Sequence, residues 1–160
     1  MPTIDIENAI QISPAKLEHA EGIWKMIHQL AIFERAEQEH TVTLEQLQKD
    51  LKNGKFHAFV ALSVDGGGSK TVVGIAVFYP IYSTWKGHSY YLEDIIVEES
   101  LRRQGIGKKL FEAVLDFSKK NGASRLGWQV LEWNEPAINF YKNYGAEMDD
   151  DWLTCRIRLK

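Results

Sequence analysis

The segment 90–109, YYLEDIIVEESLRRQGIGKK, places an apolar strand directly before a turn that is rich in arginine and glycine. After the turn, Ile106, Leu110, Val114 and Phe117 recur at the spacing of an amphipathic helix. Glycine at position 105 or 107 lets the backbone approach a ligand closely, because no Cβ fills that space. The start of the helix directs unpaired N–H groups and a positive dipole end to the same place. The segment therefore predicts a strand, a phosphate-binding turn and a helix.

Two common phosphate-binding loops do not match this turn. A Walker loop has Ser or Thr after its Gly-Lys pair, and no hydroxyl residue follows Gly107 and Lys108 here. A dinucleotide-binding loop has a third glycine, and Leu110 occupies that position. The pattern that remains is Arg102-x-x-Gly105-x-Gly107.

A second informative segment, residues 124–146, reads SRLGWQVLEWNEPAINFYKNYGA. Asn134 suits a helix N-cap, Pro136 suits the first turn and Gly145 suits a left-handed C-cap. Together with YLEDIIV and RRQGIG, this segment resembles the GNAT acetyltransferase superfamily, and within it the diamine (spermidine/spermine) and thialysine acetyltransferase branch. The similarity extends over roughly residues 10–159.

The length of 160 residues predicts one domain, and the polar character of residues 1–8 predicts a loose N-terminus. The resemblance implies the α/β (α+β) GNAT fold for this domain over residues 1–160. That fold has a mixed central β-sheet of six to seven strands and about four flanking helices. Hydrophobic periodicity predicts the order β-α-α-β-β-β-α-β-α-β from the residues themselves. Strands are expected at 10–12, 56–64, 71–82, 90–98, 125–131 and 152–159, and helices at 14–34, 43–53, from 106 onward and at 134–144.

The resemblance also implies acetyl-CoA as co-substrate and direct transfer of its acetyl group to an amine. The residues assigned to the cofactor are Ile95, Ile96, Val97, Arg102, Arg103, Gln104, Gly105, Ile106, Gly107, Lys108, Asn134 and Tyr141. Glu93 is expected to receive the amine proton through water, and Tyr141 to protonate the leaving thiolate. Alternatively, Glu93 is a strand carboxylate in a salt bridge, and Tyr141 belongs to an aromatic packing stripe.

Substrate binding is assigned to Glu34, Arg35, Glu93 and Asp94. Glu34 matches the family position that meets a distal ammonium, whereas Arg35 stands where an aromatic residue is usual. The expected substrate is a small diamine, a polyamine or a lysine-like or thialysine-like amine. A protein lysine or an N-terminal amine is the alternative substrate, and a non-catalytic CoA-binding sensor is the alternative of another class. Because Glu93 and Asp94 are adjacent on a strand, their side chains are expected to project to opposite faces.

Composition narrows the remaining possibilities. A net charge of −3 over 160 residues, without a large basic cluster, argues against nucleic acid as a partner. No run of residues has the length and apolarity of a membrane span or a secretory leader, so a cytoplasmic location is expected. The five histidines share no metal-ligand spacing, and no metal is expected. Cys155 is the single cysteine and is expected on the buried face of the last strand. That strand and the family resemblance predict a homodimer.

Overall fold

The structure is a computed structural model that describes residues 10–160, so the predicted loose segment 1–8 lies outside the described residues. The chain forms two compact units, which divide after Trp128. The first unit, up to Trp128, contains the β-sheet, and the second unit is Gln129–Lys160. The assignment of the whole chain to one domain stays a prediction.

The sheet is mixed, as predicted, and its spatial order is the order of the strands in the chain. Four strands are antiparallel neighbours, and the fifth pairs with the fourth in parallel. Over residues 10–160 the strands are β1 (Ile10–Pro14), β2 (His57–Val64), β3 (Lys70–Ser83), β4 (Gly87–Val97) and β5 (Leu126–Gly127).

The prediction of six to seven strands is wrong, since the described residues contain five. The segment 125–131 forms a strand of only two residues, and residues 152–159 form none. Alternating apolar residues become a strand only where a neighbouring chain supplies the backbone hydrogen bonds, and sequence does not report that neighbour. Cys155 is accordingly exposed and not on a buried strand face.

The described residues contain four α-helices, which agrees with the predicted number. They are α1 (Ala20–Phe33), α2 (Leu44–Lys52), α3 (Ile106–Lys120) and α4 (Glu135–Lys142). The start of α1 differs from the expectation, because Ser13 and Pro14 pair with β2 instead of beginning the helix. Proline is tolerated there because β1 is an edge strand, where one N–H has no ladder partner to lose.

A glycine on β3, Gly74, allows α3 to pack closely on the sheet. Ile75 of β3 is fully buried in a cluster with residues of α1 and α2, whereas its neighbour Gly74 faces α3. Adjacent residues of a strand are expected to face opposite sides of the sheet in this way. A Cβ on Gly74 would lie 3.1 Å from Ala61 Cβ and 3.2 Å from Leu110 Cδ1. Because Gly74 has no side chain, α3 packs closely on the sheet and its first turn lies beside the end of β4.

Candidate active site

A β-bulge interrupts the ladder between β3 and β4 at Glu93. Val77 pairs with Asp94 and Phe78 pairs with Leu92, so Glu93 is an extra residue on β4. A bulge bends its strand and redirects side chains, and bulges are frequent next to active sites. The expectation that Glu93 and Asp94 face opposite sides assumed a regular strand, and that assumption fails at this position.

The Glu93 carboxylate is exposed and is held by a tyrosine on the neighbouring strand. Tyr79 donates a hydrogen bond of 2.8 Å from its hydroxyl to Oε2 of Glu93. Burial raises the pKa of Tyr79, and the hydrogen bond to Glu93 and the negative charge of that residue raise it further. The Tyr79 hydroxyl therefore stays protonated at neutral pH and remains a donor to Glu93.

Asp94 is more buried than its neighbour Glu93, and this burial changes its acidity. Burial raises the pKa of Asp94 from its ordinary value to about 6, with further contributions from the charges of Glu93 and Glu34. A carboxyl group with this pKa exchanges protons readily near neutral pH. The contribution of Glu34 shows that the end of α1 shares an electrostatic environment with the bulge. These three predicted residues, Glu34, Glu93 and Asp94, form the carboxylate cluster.

The turn that ends α1 places Glu34 and Arg35 in exposed positions. Glu34 is the C-cap and its N–H donates to the carbonyl of Leu30 at 2.9 Å. Arg35 adopts the left-handed region with φ of 56°, which costs a non-glycine residue about 1 kcal/mol. Hydrogen bonds from the N–H groups of Arg35 and Ala36 to the last turn of α1 hold this conformation.

The RRQGIG turn, residues 102–107, has the geometry of an anion-binding loop. Gly105 is the N-cap of α3 with φ of 79°, and Arg103 is also left-handed with φ of 64°. The Arg102 side chain bonds back to the strand, since its Nε donates to the carbonyl of Val97 at 3.1 Å. A cavity of about 290 Å³ lies here and is lined by Ile95, Val97, Leu101, Arg102, Arg103, Ile106 and Gly107.

The cavity fits a ligand phosphate because glycine at position 107 leaves it open. A Cβ added at Gly107 would lie 3.8 Å from Val97 Cγ2 and 4.0 Å from Ile95 Cγ2, which are ordinary contacts. The packing of the protein therefore does not require glycine there, whereas a closely approaching ligand does. Gln104 and Lys108 are exposed, and neither is among the residues that line the cavity.

The carboxyl-terminal half of β4 has an edge that no strand of residues 10–160 covers. Within the described residues, the ladder between β4 and β5 contains only the pairs Tyr90–Leu126 and Tyr91–Gly127. Residues 95–97 lie beyond this ladder, so backbone N–H groups on that edge have no strand partner. The side chain of Ile96 is buried in the core, and its backbone pairs with Ile75 of β3, so the N–H groups directed to the open edge are those of Ile95 and Val97.

The second unit carries the other predicted site residues. Asn134 caps α4 as predicted, since its side-chain oxygen accepts a hydrogen bond of 3.3 Å from the N–H of Ala137. Tyr141 lies on α4 and is half-buried, and this burial raises the pKa of its hydroxyl. The rings of Phe140 and Tyr141 contact edge to face at a centroid distance of 5.2 Å. Tyr141 thus takes part in aromatic packing, and its catalytic assignment stays a prediction.

Tyr79 is the site residue that the sequence did not indicate. Its contact with Glu93 depends on a register that includes the bulge, and a single sequence does not reveal a bulge. Residues 10–160 contain no group of three or more His, Cys, Asp or Glu side chains arranged to hold a metal ion. Over the same residues, no helix is long and apolar enough to cross a membrane. The cytoplasmic location stays a prediction.

Comparison with known proteins identifies related chains. The model of the acetyltransferase (GNAT) family matches residues 24–146. The thialysine N-epsilon-acetyltransferase of Mus musculus is 36% identical over 154 residues, which are 91% of each chain. Among solved structures, an aminoglycoside acetyltransferase from an uncultured soil metagenomic sample has a TM-score of 0.79 at 24% identity, covering 98% of this chain and all of the other. An aminoglycoside N-acetyltransferase in complex with CoA has a TM-score of 0.70 at 19% identity, covering 93% of this chain and 95% of the other.

The environment of Asp94 predicts a pH-dependent effect of Asp94→Asn on stability. A carboxyl group whose pKa rises on folding lowers stability progressively as the pH rises above its unfolded-state pKa, and the full loss is reached above its folded-state pKa. At pH 8 we expect the variant to be more stable by about 1–3 kcal/mol in urea unfolding, because it lacks the buried charge. The advantage should shrink as the pH falls through about 6 and vanish near the ordinary value of 3.8.

The matched control is Asp116→Asn, which alters an exposed carboxylate on α3. We expect its effect on the unfolding free energy to stay within about 0.5 kcal/mol at every pH. An Asp94→Asn variant that is less stable than wild type at pH 8, by an amount independent of pH, would contradict the assigned environment of Asp94.

Proposed function

Because the chain belongs to the GNAT acetyltransferase family, we propose that it transfers the acetyl group of acetyl-CoA to the primary amine of a small thialysine-like, diamine or polyamine substrate. The observation that carries the proposal is the arrangement along β4. This strand bears Glu93 and Asp94 at its bulge, then an edge without a strand partner, and then leads into the RRQGIG turn. The proposed amine-binding region and the proposed phosphate-binding region are therefore joined by the end of one strand.

The RRQGIG turn is the proposed binding site for the pyrophosphate of the co-substrate. Arg102 and Arg103 supply charge-assisted donors, and the N–H groups at the start of α3 supply further donors. Backbone N–H groups of residues 95–97 are proposed to bind the rest of the co-substrate and to stabilise charge on the thioester oxygen. When bound, acetyl-CoA supplies an activated acetyl group as a thioester. The aminoglycoside N-acetyltransferase with the same fold is in complex with CoA, which supports CoA as the ligand.

Gly107→Val tests the proposed pyrophosphate site. The added side chain occupies cavity space, so we expect the Kd for CoA to rise at least about 10-fold in isothermal titration calorimetry. Thermal stability should be retained, because glycine is a poor residue inside a helix and the new Cβ makes only ordinary contacts.

Gly66→Val is the matched control, because Gly66 lies in the hairpin between β2 and β3 and a Cβ there meets nothing within 4 Å. This variant should bind CoA like the wild type. A folded Gly107→Val protein with undiminished CoA affinity would refute the assignment of the turn.

Transfer to an amine requires removal of a proton first. An alkylamine with a pKa of about 10.4 is free base in only about one molecule in 2,500 at pH 7, a handicap of about 4.6 kcal/mol. We propose that the exposed Glu93 carboxylate accepts this proton, directly or through water. Asp94, with its pKa of about 6, adds negative charge beside the ammonium and increases the local concentration of cationic substrates.

The leaving thiolate needs a proton, and Tyr141 is proposed to donate it. A half-buried phenol with a raised pKa is fully protonated at neutral pH and can act as an acid. Family resemblance supports this role together with the position of Tyr141 on α4, the helix that Asn134 caps. Asn134 is proposed to bind the co-substrate through its side-chain amide nitrogen, because the cap hydrogen bond uses the side-chain oxygen.

Tyr141→Phe should lower kcat by roughly 10²–10⁴ while the affinity for acetyl-CoA changes little. The phenylalanine ring preserves the packing against Phe140, so stability serves as an internal control. An unchanged kcat, measured where chemistry limits the rate, would show that another group protonates the thiolate.

The exposed pair Glu34 and Arg35 is proposed to select the substrate. Glu34 is suited to a distal ammonium, and its negative charge already contributes to the raised pKa of Asp94. Arg35 adds a guanidinium that can bind a carboxylate with two hydrogen bonds. An amino acid has such a carboxylate, whereas a polyamine has none. This pair therefore favours thialysine-like amino acids over spermidine, in accord with the name of the relative from Mus musculus.

Thialysine should exceed spermidine and butylamine in kcat/KM, measured by release of CoA thiol. Its thioether lowers the amine pKa, so that more free base is present at neutral pH, and its carboxylate can bind Arg35. Arg35→Ala should reduce the preference over spermidine about 10-fold, because a charged hydrogen bond is lost. Glu34→Gln should lower kcat/KM for diamines but leave kcat/KM for butylamine unchanged.

Lys25→Ala is the control for removal of a positive charge, since Lys25 is an exposed residue of α1 that pairs with Glu21. It should leave the substrate order unchanged. Equal kcat/KM for the three amines, unaffected by changes at positions 34 and 35, would show that this pair does not select the substrate.

A homodimer is also proposed, on the basis of exposed apolar residues near the chain end. Trp152, Leu153, Ile157 and Leu159 are between 81% and 91% exposed in the single chain. Apolar surface of this kind is commonly covered by a partner, and a second copy of the chain is the simplest one. Analytical sedimentation that gives only the monomer mass at micromolar concentrations would contradict this assembly.

A further inference from the structure

Glu93 lies at a position where the strand itself does little to orient its side chain. As the extra residue of the bulge, Glu93 has no cross-strand partner in the β3–β4 ladder. Its side chain is exposed and has three rotatable bonds, so in solvent it would occupy several rotamers. A proton acceptor that occupies several rotamers is seldom in the geometry that the transfer requires.

The Tyr79 hydroxyl restricts this freedom from the opposite strand. Tyr79 pairs with Tyr91 in the ladder, two residues before Glu93, and its hydroxyl reaches across to Oε2 at 2.8 Å. The Tyr79 and Tyr91 rings also contact each other, with centroids 5.5 Å apart, which limits movement of the Tyr79 ring. A short hydrogen bond from a ring that is itself packed can fix the direction of a carboxylate.

We propose that Tyr79 is a positioning residue of the acetyl transfer, whose hydroxyl holds Oε2 of Glu93 and leaves Oε1 to accept the amine proton. This inference rests on the proposed role of Glu93 as proton acceptor. Tyr79 itself neither gains nor loses a proton in this step. The amine proton moves to Glu93, and the Tyr79 hydroxyl remains a donor to Oε2 throughout.

A purely structural role for Tyr79 would reside in its ring. Tyr79→Phe keeps the ring and its contact with Tyr91, so it removes the hydroxyl alone. Tyr91→Phe is the matched control, because Tyr91 is the other half of the ring pair and the same two carboxylates, Glu93 and Asp94, act on its pKa. The two substitutions therefore differ chiefly in the hydrogen bond to Glu93.

The test is a double-mutant cycle of kcat with Tyr79→Phe, Glu93→Gln and the double variant, with Tyr91→Phe alongside. We expect Tyr79→Phe to lower kcat roughly 10-fold, and Tyr91→Phe to change it less than about twofold. Glu93→Gln should lower kcat by roughly 10²–10⁴, and the double variant should be no slower than Glu93→Gln alone. The KM for acetyl-CoA should stay unchanged throughout, since none of these residues belongs to the RRQGIG turn.

Each contrary result has its own meaning. If Glu93→Gln lowers kcat but Tyr79→Phe behaves like Tyr91→Phe, the positioning role is wrong and the proposed function survives. If the losses multiply in the double variant, Tyr79 acts independently of Glu93 and the inference is overturned. If Glu93→Gln leaves kcat unchanged, the proposed role of Glu93 fails, and the inference about Tyr79 fails with it.

Glu93→Asp provides a second test that leaves Tyr79 intact. The shorter side chain keeps a carboxylate but does not reach the Tyr79 hydroxyl in the present geometry. We expect kcat to fall roughly 10-fold, as in Tyr79→Phe, and adding Tyr79→Phe to Glu93→Asp should have no further effect. Wild-type kcat for Glu93→Asp would contradict the requirement for a held carboxylate even if Tyr79→Phe does not fold.

Discussion

The bulge at Glu93 in the β3–β4 ladder is the constraint on which the rest of the site depends. One inserted residue leaves Glu93 outside the pairing, exposed to solvent and within reach of Tyr79, while Asp94 resumes the ladder and is half-buried. Beyond the bulge, β4 continues past the end of its ladder with β5 and enters the RRQGIG turn. The proposed proton acceptor and the proposed pyrophosphate site are therefore positioned by the same strand.

The carboxylate cluster shows how two adjacent acidic residues acquire different properties. Asp94 is surrounded by protein and by the negative charges of Glu93 and Glu34, so its ionised form is disfavoured. A bound ammonium would offset that repulsion, and the site therefore gains most when a cation is present. Glu93 is exposed and accepts a hydrogen bond from Tyr79, so its carboxylate is accessible to an incoming amine.

Local signals predicted the parts of the fold that local interactions determine. The RRQGIG turn and α4 with its Asn134 cap depend on neighbouring residues, and both form where the sequence predicted them. The bulge, the contact of Tyr79 with Glu93 and the two-residue length of β5 depend on pairing between distant segments. Residues 152–159 show the same limit, because their alternation predicts a strand but provides no neighbouring strand.

The open edge of β4 and the RRQGIG turn are proposed to bind the co-substrate together. Titration of CoA into ¹⁵N-labelled protein, followed through the backbone amide resonances, tests this binding site directly. We expect the largest shifts at Ile95, Val97, Gly105, Ile106 and Gly107, with little change in β1 and β2. Saturable binding that moves other amides and leaves these five unchanged would show that CoA binds elsewhere.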